Sequence, residues 1–250
     1  MTTREGGVSQ APWGSLNLGM LSGDDLKSVQ QNRELVAQAM GVPAVYLRQV
    51  HGTTGVEIDA LTPANTEADA AWTTQIGLAC TMMAADCMPI LVCHPTARWV
   101  AAAHAGWRGL AGKNSHGVVE TLAHAAKAQG LNVEDCLVWL GPCIGPSAFE
   151  VGEDVRAAFT KPEDLSNAAP LAIDLYQAMF APQSGQKYMA DLAGLARLRL
   201  QAAGFKAIFG NDSSLSWCTY SNSEKYHSHR RDAVAKGGAG RMAAYVWITP

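Results

Sequence analysis

Three residues of the 250-residue chain, of types that can hold a metal or form a nucleophile and its base, each stand at the rim of an apolar run. His51 ends VYLRQVHG, Cys87 precedes MPILVC, and His104 closes WVAAAH. Two imidazoles and a thiolate suit Zn²⁺, and three protein ligands leave a fourth position for water or substrate. The same trio fits a blue-copper centre, with a methionine such as Met88 as axial ligand. Cys87 and His104 alone fit a nucleophile with its base. A buried cysteine beside two hydrogen-bonded histidines, with no chemistry at all, fits as well. The separations are much longer than a zinc finger's, so spacing does not choose among these readings.

A second group is cationic: Arg108 in GWRG and the adjacent Arg230 and Arg231 in YHSHRRD. Arginine captures phosphate or carboxylate through two parallel N–H donors. An isolated surface pair usually does no more than meet a nearby acid, and Asp232 is next in sequence. This pair, however, lies among Tyr226, His227 and His229, a less ordinary setting. Of the remaining candidates, His94 reads as a turn residue, His116 as near a helix start and His124 as a helix-face residue. Cys80, Cys93 and Cys136 fall in apolar runs and read as core. Cys143 is held in the GPCIGP corner at 141–146.

The elements that must position these groups follow from periodicity and breakers. Residues 22–40 read as an amphipathic helix capped by Ser22 or Asp24 and stopped by Gly41. Its stripe is Leu26, Val29, Leu35, Val36 and Ala39. Residues 45–52 read as a strand ending at His51, and 56–59 as a short strand across a turn at 52–55. Three more strands are expected over 78–84, 88–93 and 99–104, the last two joined by a turn at 94–97. Helices are expected over 115–129 and 189–203, and strands over 136–140, 205–209 and 241–248. The stretch 160–187 reads as loop-rich. Strands that cluster into hairpins with irregularly placed helices argue for an α+β fold. The expectation is one layered α/β sandwich over residues 1–250, with mixed, largely antiparallel sheets flanked by helices.

Composition bounds the function. The chain is 48% hydrophobic with a formal net charge of -3, ordinary for a globular protein. No basic block marks a nucleic-acid surface, and Arg230-Arg231 suffices for one anion only. The N-terminal residues lack the apolar core of a signal peptide. The apolar window 76–93 contains Asp86 and Pro89 and reads as two strands rather than a membrane span. The six cysteines have no paired CxxC spacing, so a reducing cytoplasm is expected.

Seven segments together resemble one family in order and spacing. They are TTREGGVS…SLNLG (2–19), RQVHG (48–52), EADA (67–70), ADCMPIL (85–91), AAAHAGWRGLAG (101–112), LGPCIGPSAFEVG (140–152) and HSHRRD…GRMAAYVWI (227–248). The chain resembles the YfiH family, also called the laccase-domain or peptidoglycan-editing-factor family, over essentially its whole length. ADC-x-P followed by HAGWRG carries most of the specificity. The resemblance implies an α+β sandwich and a metal site, usually zinc, held by His51, Cys87 and His104. Many members carry Cys where this chain has Ser147, so a role for that thiol does not transfer.

The resemblance also implies several activities: polyphenol oxidation, purine nucleoside phosphorolysis with adenosine deamination, and correction of peptidoglycan precursors. A multicopper laccase needs roughly ten histidines, mostly in HxH pairs. This chain has seven, with one such pair at His227 and His229; copper in place of zinc leaves weak oxidation open. Phosphorolysis needs an anion pocket, which Arg108, Arg230 and Arg231 are expected to supply. Deamination needs a metal-activated water and a proton shuttle, for which Asp86 is the candidate beside Cys87 and His104. The familiar deaminase signature is absent. The expected function is therefore a zinc-containing purine nucleoside phosphorylase with adenosine deaminase activity. A Cys-His hydrolase editing peptidoglycan precursors and a copper polyphenol oxidase stand as alternatives, and a pure binding module comes third. The expected partners are a purine nucleoside and phosphate, with no nucleic acid and no membrane.

Overall fold

The strand Val100–Ala105 is buried along its whole length, and its sequence, VAAAHA, explains what surrounds it. Side chains alternate between the two faces of a strand. Ala101, Ala103 and Ala105 therefore face one layer, and Val100, Ala102 and His104 face another. Short alanines on both faces let two layers approach closely, and the single imidazole comes at the strand's exit.

The computed structural model describes residues 1–114, 116–160 and 170–249. In chain order its elements begin with α1 (Leu26–Met40), β1 (Ala44–Val45), β2 (Gly55–Glu57), β3 (Ala70–Thr73) and β4 (Ala79–Ala84). There follow β5 (Met88–Cys93), β6 (Val100–Ala105), α2 (Trp107–Ala111), α3 (Val118–Ala128) and β7 (Leu137–Leu140). Next come β8 (Glu150–Gly152), α4 (Glu153–Thr160), α5 (Pro170–Ala178), β9 (Phe180–Pro182) and β10 (Lys187–Ala190). The chain closes with α6 (Leu192–Ala202), β11 (Ala207–Gly210), α7 (His229–Lys236) and β12 (Met242–Val246).

A six-stranded sheet, ordered β11-β7-β5-β6-β3-β2, lies against a three-stranded sheet, β1-β4-β12. Ala71, Cys80, Met82, Val100 and Ala102 form the core between them. The opposite face of the large sheet is covered by α3 and α6 through Val119, Leu122, Leu192 and Leu195. α1 covers the outer face of the small sheet, with Val36 and Met40 against Ala243 and Tyr245. A third sheet, β8-β10-β9, sits with α4 and α5 beside the helical layer. Most strand pairs are antiparallel; β1 with β4, β2 with β3 and β7 with β11 are parallel. The architecture is α+β, as expected. Among the described residues no helix is long and apolar enough to cross a membrane.

The hairpin of β5 and β6 stands where the sequence places it, and its turn is tied by His94, whose Nδ1 accepts from the Ala97 N–H at 2.9 Å. Four expectations differ. The strand over 45–52 ends at Val45, and at its far end His51 has φ 62, outside the extended region. The Gln49 side chain takes over that pairing, bonding both the N–H and the C=O of Met83 at 2.8 Å. The helix expected from 189 starts at Leu192, capped by Asp191, since 187–190 pairs as β10. The loop-rich stretch contains α5 and β9, while 161–169 lie outside the described residues. The first helix is capped by Asp25, not Ser22 or Asp24, and Ser115, the expected start of α3, lies outside the described residues.

The last tie is at His227, just before α7. Its ring is fully buried against Gly240, where an added Cβ would lie 2.5 Å from Nε2. Neither ring nitrogen makes a hydrogen bond of normal geometry. Burial first, and then the charge of Arg4, push the ring's pKa down to about 4, against opposing effects of the Leu16 backbone and Asp232 and with a smaller push from Arg241. A histidine depressed below its unfolded value of 6.5 contributes stability that is complete above that pH and lost as pH falls through about 4. Wild type should therefore lose urea resistance relative to His227→Gln as pH falls across that window. A constant difference between the two contradicts a buried neutral ring.

Candidate metal centre

Asp86 and Cys87 form the tight corner between β4 and β5. Asp86 has φ 83, a left-handed conformation that an Asp tolerates better than most residues. Register pairs Met88 with Ala105, so Cys87 falls opposite Gly106. A Cβ on Gly106 would lie 2.9 Å from Cys87 Sγ and 3.0 Å from His51 Cδ2, so only glycine fits there. His104, one residue short of the end of β6, faces the same cleft. His51 enters from its left-handed loop. Its ring centroid is 4.8 Å from that of His104, with the planes at 70°. The three donor atoms all lie within 4.8 Å of one another.

One carboxylate holds this arrangement. Asp69, immediately before β3, is completely buried. Its Oδ1 lies 2.8 Å from His104 Nδ1 and accepts the His51 N–H at 3.0 Å. Its Oδ2 accepts the N–H groups of Val50 and Gly52 at 3.1 and 2.7 Å. Burial works to raise the Asp69 carboxyl, but the bonds from His104 and the backbone hold it below its ordinary value. A carboxylate only accepts, so His104 carries its proton on Nδ1 and turns Nε2 toward Cys87.

The donors are electrostatically matched. Burial would raise the Cys87 thiol, but the charges and hydrogen bonds of His104 and His51 bring it down to about 6. Burial would lower His104, but the Cys87 thiolate and Asp69 lift it to about 9. In the absence of a metal, Cys87 and His104 are thus a thiolate–imidazolium pair. A soft thiolate with two imidazoles is a donor set for zinc or copper, and three donors leave an open fourth position.

Beside this trio, Asp86 accepts Thr219 Oγ1 at 2.6 Å on one oxygen. Its other oxygen accepts Ser228 Oγ at 3.0 Å and the Arg230 N–H at 2.6 Å. This carboxylate anchors the first turn of α7. Arg231 is also committed. Its Nε and Nη2 grip Asp232, and Nη1 donates to the carbonyls of Thr219 and Tyr220. The Arg230 side chain bonds the Glu150 carbonyl at 3.1 Å, and Arg108 lies exposed over the Trp107 ring. The structure therefore brings His51, Cys87 and His104 together with Asp86 beside them, and Arg108, Arg230 and Arg231 are not among the residues lining the cleft at the two histidines.

Sequence reading missed Asp69 and Arg241. Asp69 stands in EADAAW, an acid in an otherwise small and apolar run, which is a signal for a buried and partnered carboxylate. Arg241 opens β12 and lines a cleft of about 120 Å³ together with His51, His104, Gln49 and Arg33. That cleft shares Met20, Leu21, Arg33, Arg48 and Asn65 with a larger compartment of about 810 Å³.

The layers define an α+β protein of the layered class, with a donor cluster able to hold a metal. The chain belongs to the multi-copper polyphenol oxidoreductase laccase family, the YfiH or laccase-domain proteins, whose description matches residues 1–249. It is 42% identical over 250 residues to a purine nucleoside phosphorylase of Pseudomonas aeruginosa, covering 99% of this chain and 92% of that protein. It is 41% identical over 249 residues to the purine nucleoside phosphorylase YfiH of Escherichia coli strain K12, with the same coverage. The crystal structure of protein NMB0706 of Neisseria meningitidis superposes with a TM-score of 0.85 at 38% identity, covering 100% of this chain and 93% of that one. YlmD of Geobacillus stearothermophilus gives 0.85 at 30%, covering 100% and 90%.

Partners behind a metal-binding histidine set its tautomer and orientation, and losing one costs about 10–100-fold in metal affinity. Asp69→Asn should weaken zinc binding by about that factor, read by competition with a chromophoric chelator after circular dichroism has shown the variant folded. Wild-type affinity in the folded variant contradicts the role given to Asp69.

Proposed function

We propose that this chain is a zinc-containing purine nucleoside phosphorylase that also deaminates adenosine. It acts as one domain over residues 1–250, in the cytoplasm, on adenosine, inosine or methylthioadenosine with phosphate. The observation that carries this reading is the His51, Cys87 and His104 trio beside a small cationic cleft that opens into a nucleoside-sized compartment. Volumes of about 300–1,000 Å³ are usual for small-molecule sites, and 810 Å³ is within that range. The relatives named as purine nucleoside phosphorylases support it, since they align with nearly the whole chain.

His51, Cys87 and His104 would hold the metal, and Gly106 keeps the space between sulfur and ring open. Zinc, when bound, supplies a Lewis acid with one position open to water or substrate. Asp69 orients His104 and fixes the His51 loop, so that both rings meet substrate already placed. Asp86 acts as a positioning residue through α7. The proton-carrying part passes to His229, whose exposed ring at the first position of α7 interacts with His51, Asp86 and Arg241. Burial and the Arg241 charge hold that ring below its ordinary pKa, so it is a neutral base at neutral pH.

The thiolate–imidazolium pair, with Asp69 behind His104, specifically favours a second reading: a Cys-His hydrolase acting on peptidoglycan precursors. A multicopper oxidase finds less support. Among the described residues one group of metal-donor side chains is assembled, and His227 of the single HxH pair is buried against Gly240.

A product assay separates these. With adenosine and phosphate the proposal expects adenine and ribose 1-phosphate; with adenosine alone it expects inosine. Cys87→Ala should lose both activities and the single zinc equivalent. Neither product from zinc-loaded wild type, or a thioester trapped on Cys87 with a peptide substrate, makes the hydrolase the better account.

A further inference from the structure

We infer that Arg241, and not Arg108, Arg230 or Arg231, is the residue that takes the phosphate in this cleft, through the open Nε–Nη2 edge of its guanidinium. The inference rests on the phosphorolysis reading above and names its anion subsite.

A guanidinium binds an oxyanion best along one edge, with two parallel N–H groups. Each arginine near the site can be judged by whether that edge is free. Arg231 has closed its edge on Asp232. Arg33 spends Nε on the Leu18 carbonyl and Nη2 on Met83 Sδ, while its face lies over Tyr46. Arg48 pairs with Glu67. Arg230 turns Nη2 to the Glu150 carbonyl, and Arg108 lies over Trp107.

Among the three arginines that line the cleft, Arg33, Arg48 and Arg241, only Arg241 keeps that edge open, while the unbonded edge of Arg108 lies exposed and outside the cleft lining. Arg241 Nη1 donates to the carbonyls of Ala239 at 2.8 Å and Gly240 at 3.1 Å, which fixes the plane of the group. Among the described residues nothing accepts from Nε or Nη2. The guanidinium is nevertheless mostly buried, and it interacts with the charges of Cys87 and Asp86. It lines the cleft of about 120 Å³ beside His51 and His104. A mostly buried cation with its bidentate edge unspent, on the lining of a cavity that small, matches a tetrahedral oxyanion better than an extended substrate.

The chain is built around this side chain. Gly19 leaves room for its stem: a Cβ there would lie 2.6 Å from Arg241 Cγ and 3.1 Å from its Cβ. The buried Asn17 side chain accepts both the Arg241 N–H at 2.8 Å and the Gly19 N–H at 3.0 Å, locking the loop to the start of β12. Both ends of the chain, SLNLG and GRMAA, thus converge on one guanidinium.

Steady-state phosphorolysis with Arg241→Gln, Arg241→Lys and Gly19→Ala tests this. Arg241→Gln should raise the KM for phosphate about tenfold or more, with the KM for nucleoside within about twofold. Arg241→Lys should raise it less, since a lysine keeps the charge and loses the fork. Gly19→Ala should raise it while keeping the guanidinium, and zinc content should stay at the wild-type level in all three. An unchanged phosphate KM in Arg241→Gln overturns the inference, as does a rise found in Arg108→Gln or Arg230→Gln instead. Calorimetric titration with inorganic phosphate alone separates this from the phosphorolysis reading. If wild type makes no ribose 1-phosphate yet binds phosphate and Arg241→Gln does not, the subsite stands and the reaction assignment falls. If wild type binds no phosphate, the subsite falls.

Discussion

The buried carboxylate of Asp69 is the interaction on which the site depends. Four donors from two separate segments converge on its two oxygens: three consecutive backbone N–H groups of the His51 loop and the ring of His104. Leaving a buried charge without such donors is strongly unfavourable, so the carboxylate and the loop specify each other. The left-handed backbone at His51 is tolerable because its amide has this partner. The orientation of His104 follows from the same oxygen. Asp69 also joins the sheet, accepting on its carbonyl the His104 N–H at 2.8 Å, so strand pairing and metal geometry are set at one point.

The second organising carboxylate, Asp86, works on the other wall. With Thr219, Ser228 and the Arg230 N–H it fixes the entry of α7 against the β4–β5 corner, where an acid near a helix N-terminus is favoured. In the proposed function the two acids of the site therefore take positioning tasks. One aims a donor, and the other places the helix that carries His229. In the proposed function, chemistry falls to groups with unspent valences: the donor trio, the His229 ring and the open edge of Arg241.

Much of this was legible in the sequence, and the parts that were not share a reason. The hairpin of β5 and β6 and the ends that carry Cys87 and His104 follow from apolar alternation and a Pro-containing turn, which are local signals. The resemblance supplied the grouping of His51 with them, since spacing alone left it open. The strand expected through His51 failed because side-chain pairing by Gln49 replaces backbone pairing there, and alternation cannot show that. Asp86 carries the right chemistry by type, yet its hydrogen bonds run to Thr219, Ser228 and Arg230, far along the chain, whereas Arg231 meets Asp232, the acid next to it in sequence. Arg241 was passed over because it reads as the polar start of a strand, and its importance comes from Gly19 and Asn17 at the far end of the chain.

The central claim is that His51, Cys87 and His104 are one metal centre whose geometry Asp69 enforces. X-ray absorption at the metal edge of the zinc-loaded protein tests it most directly. The account predicts one sulfur at about 2.3 Å and two imidazole nitrogens at about 2.0–2.1 Å, with the sulfur shell absent in Cys87→Ala. A wild-type first shell of nitrogen and oxygen donors alone, with no sulfur, contradicts it.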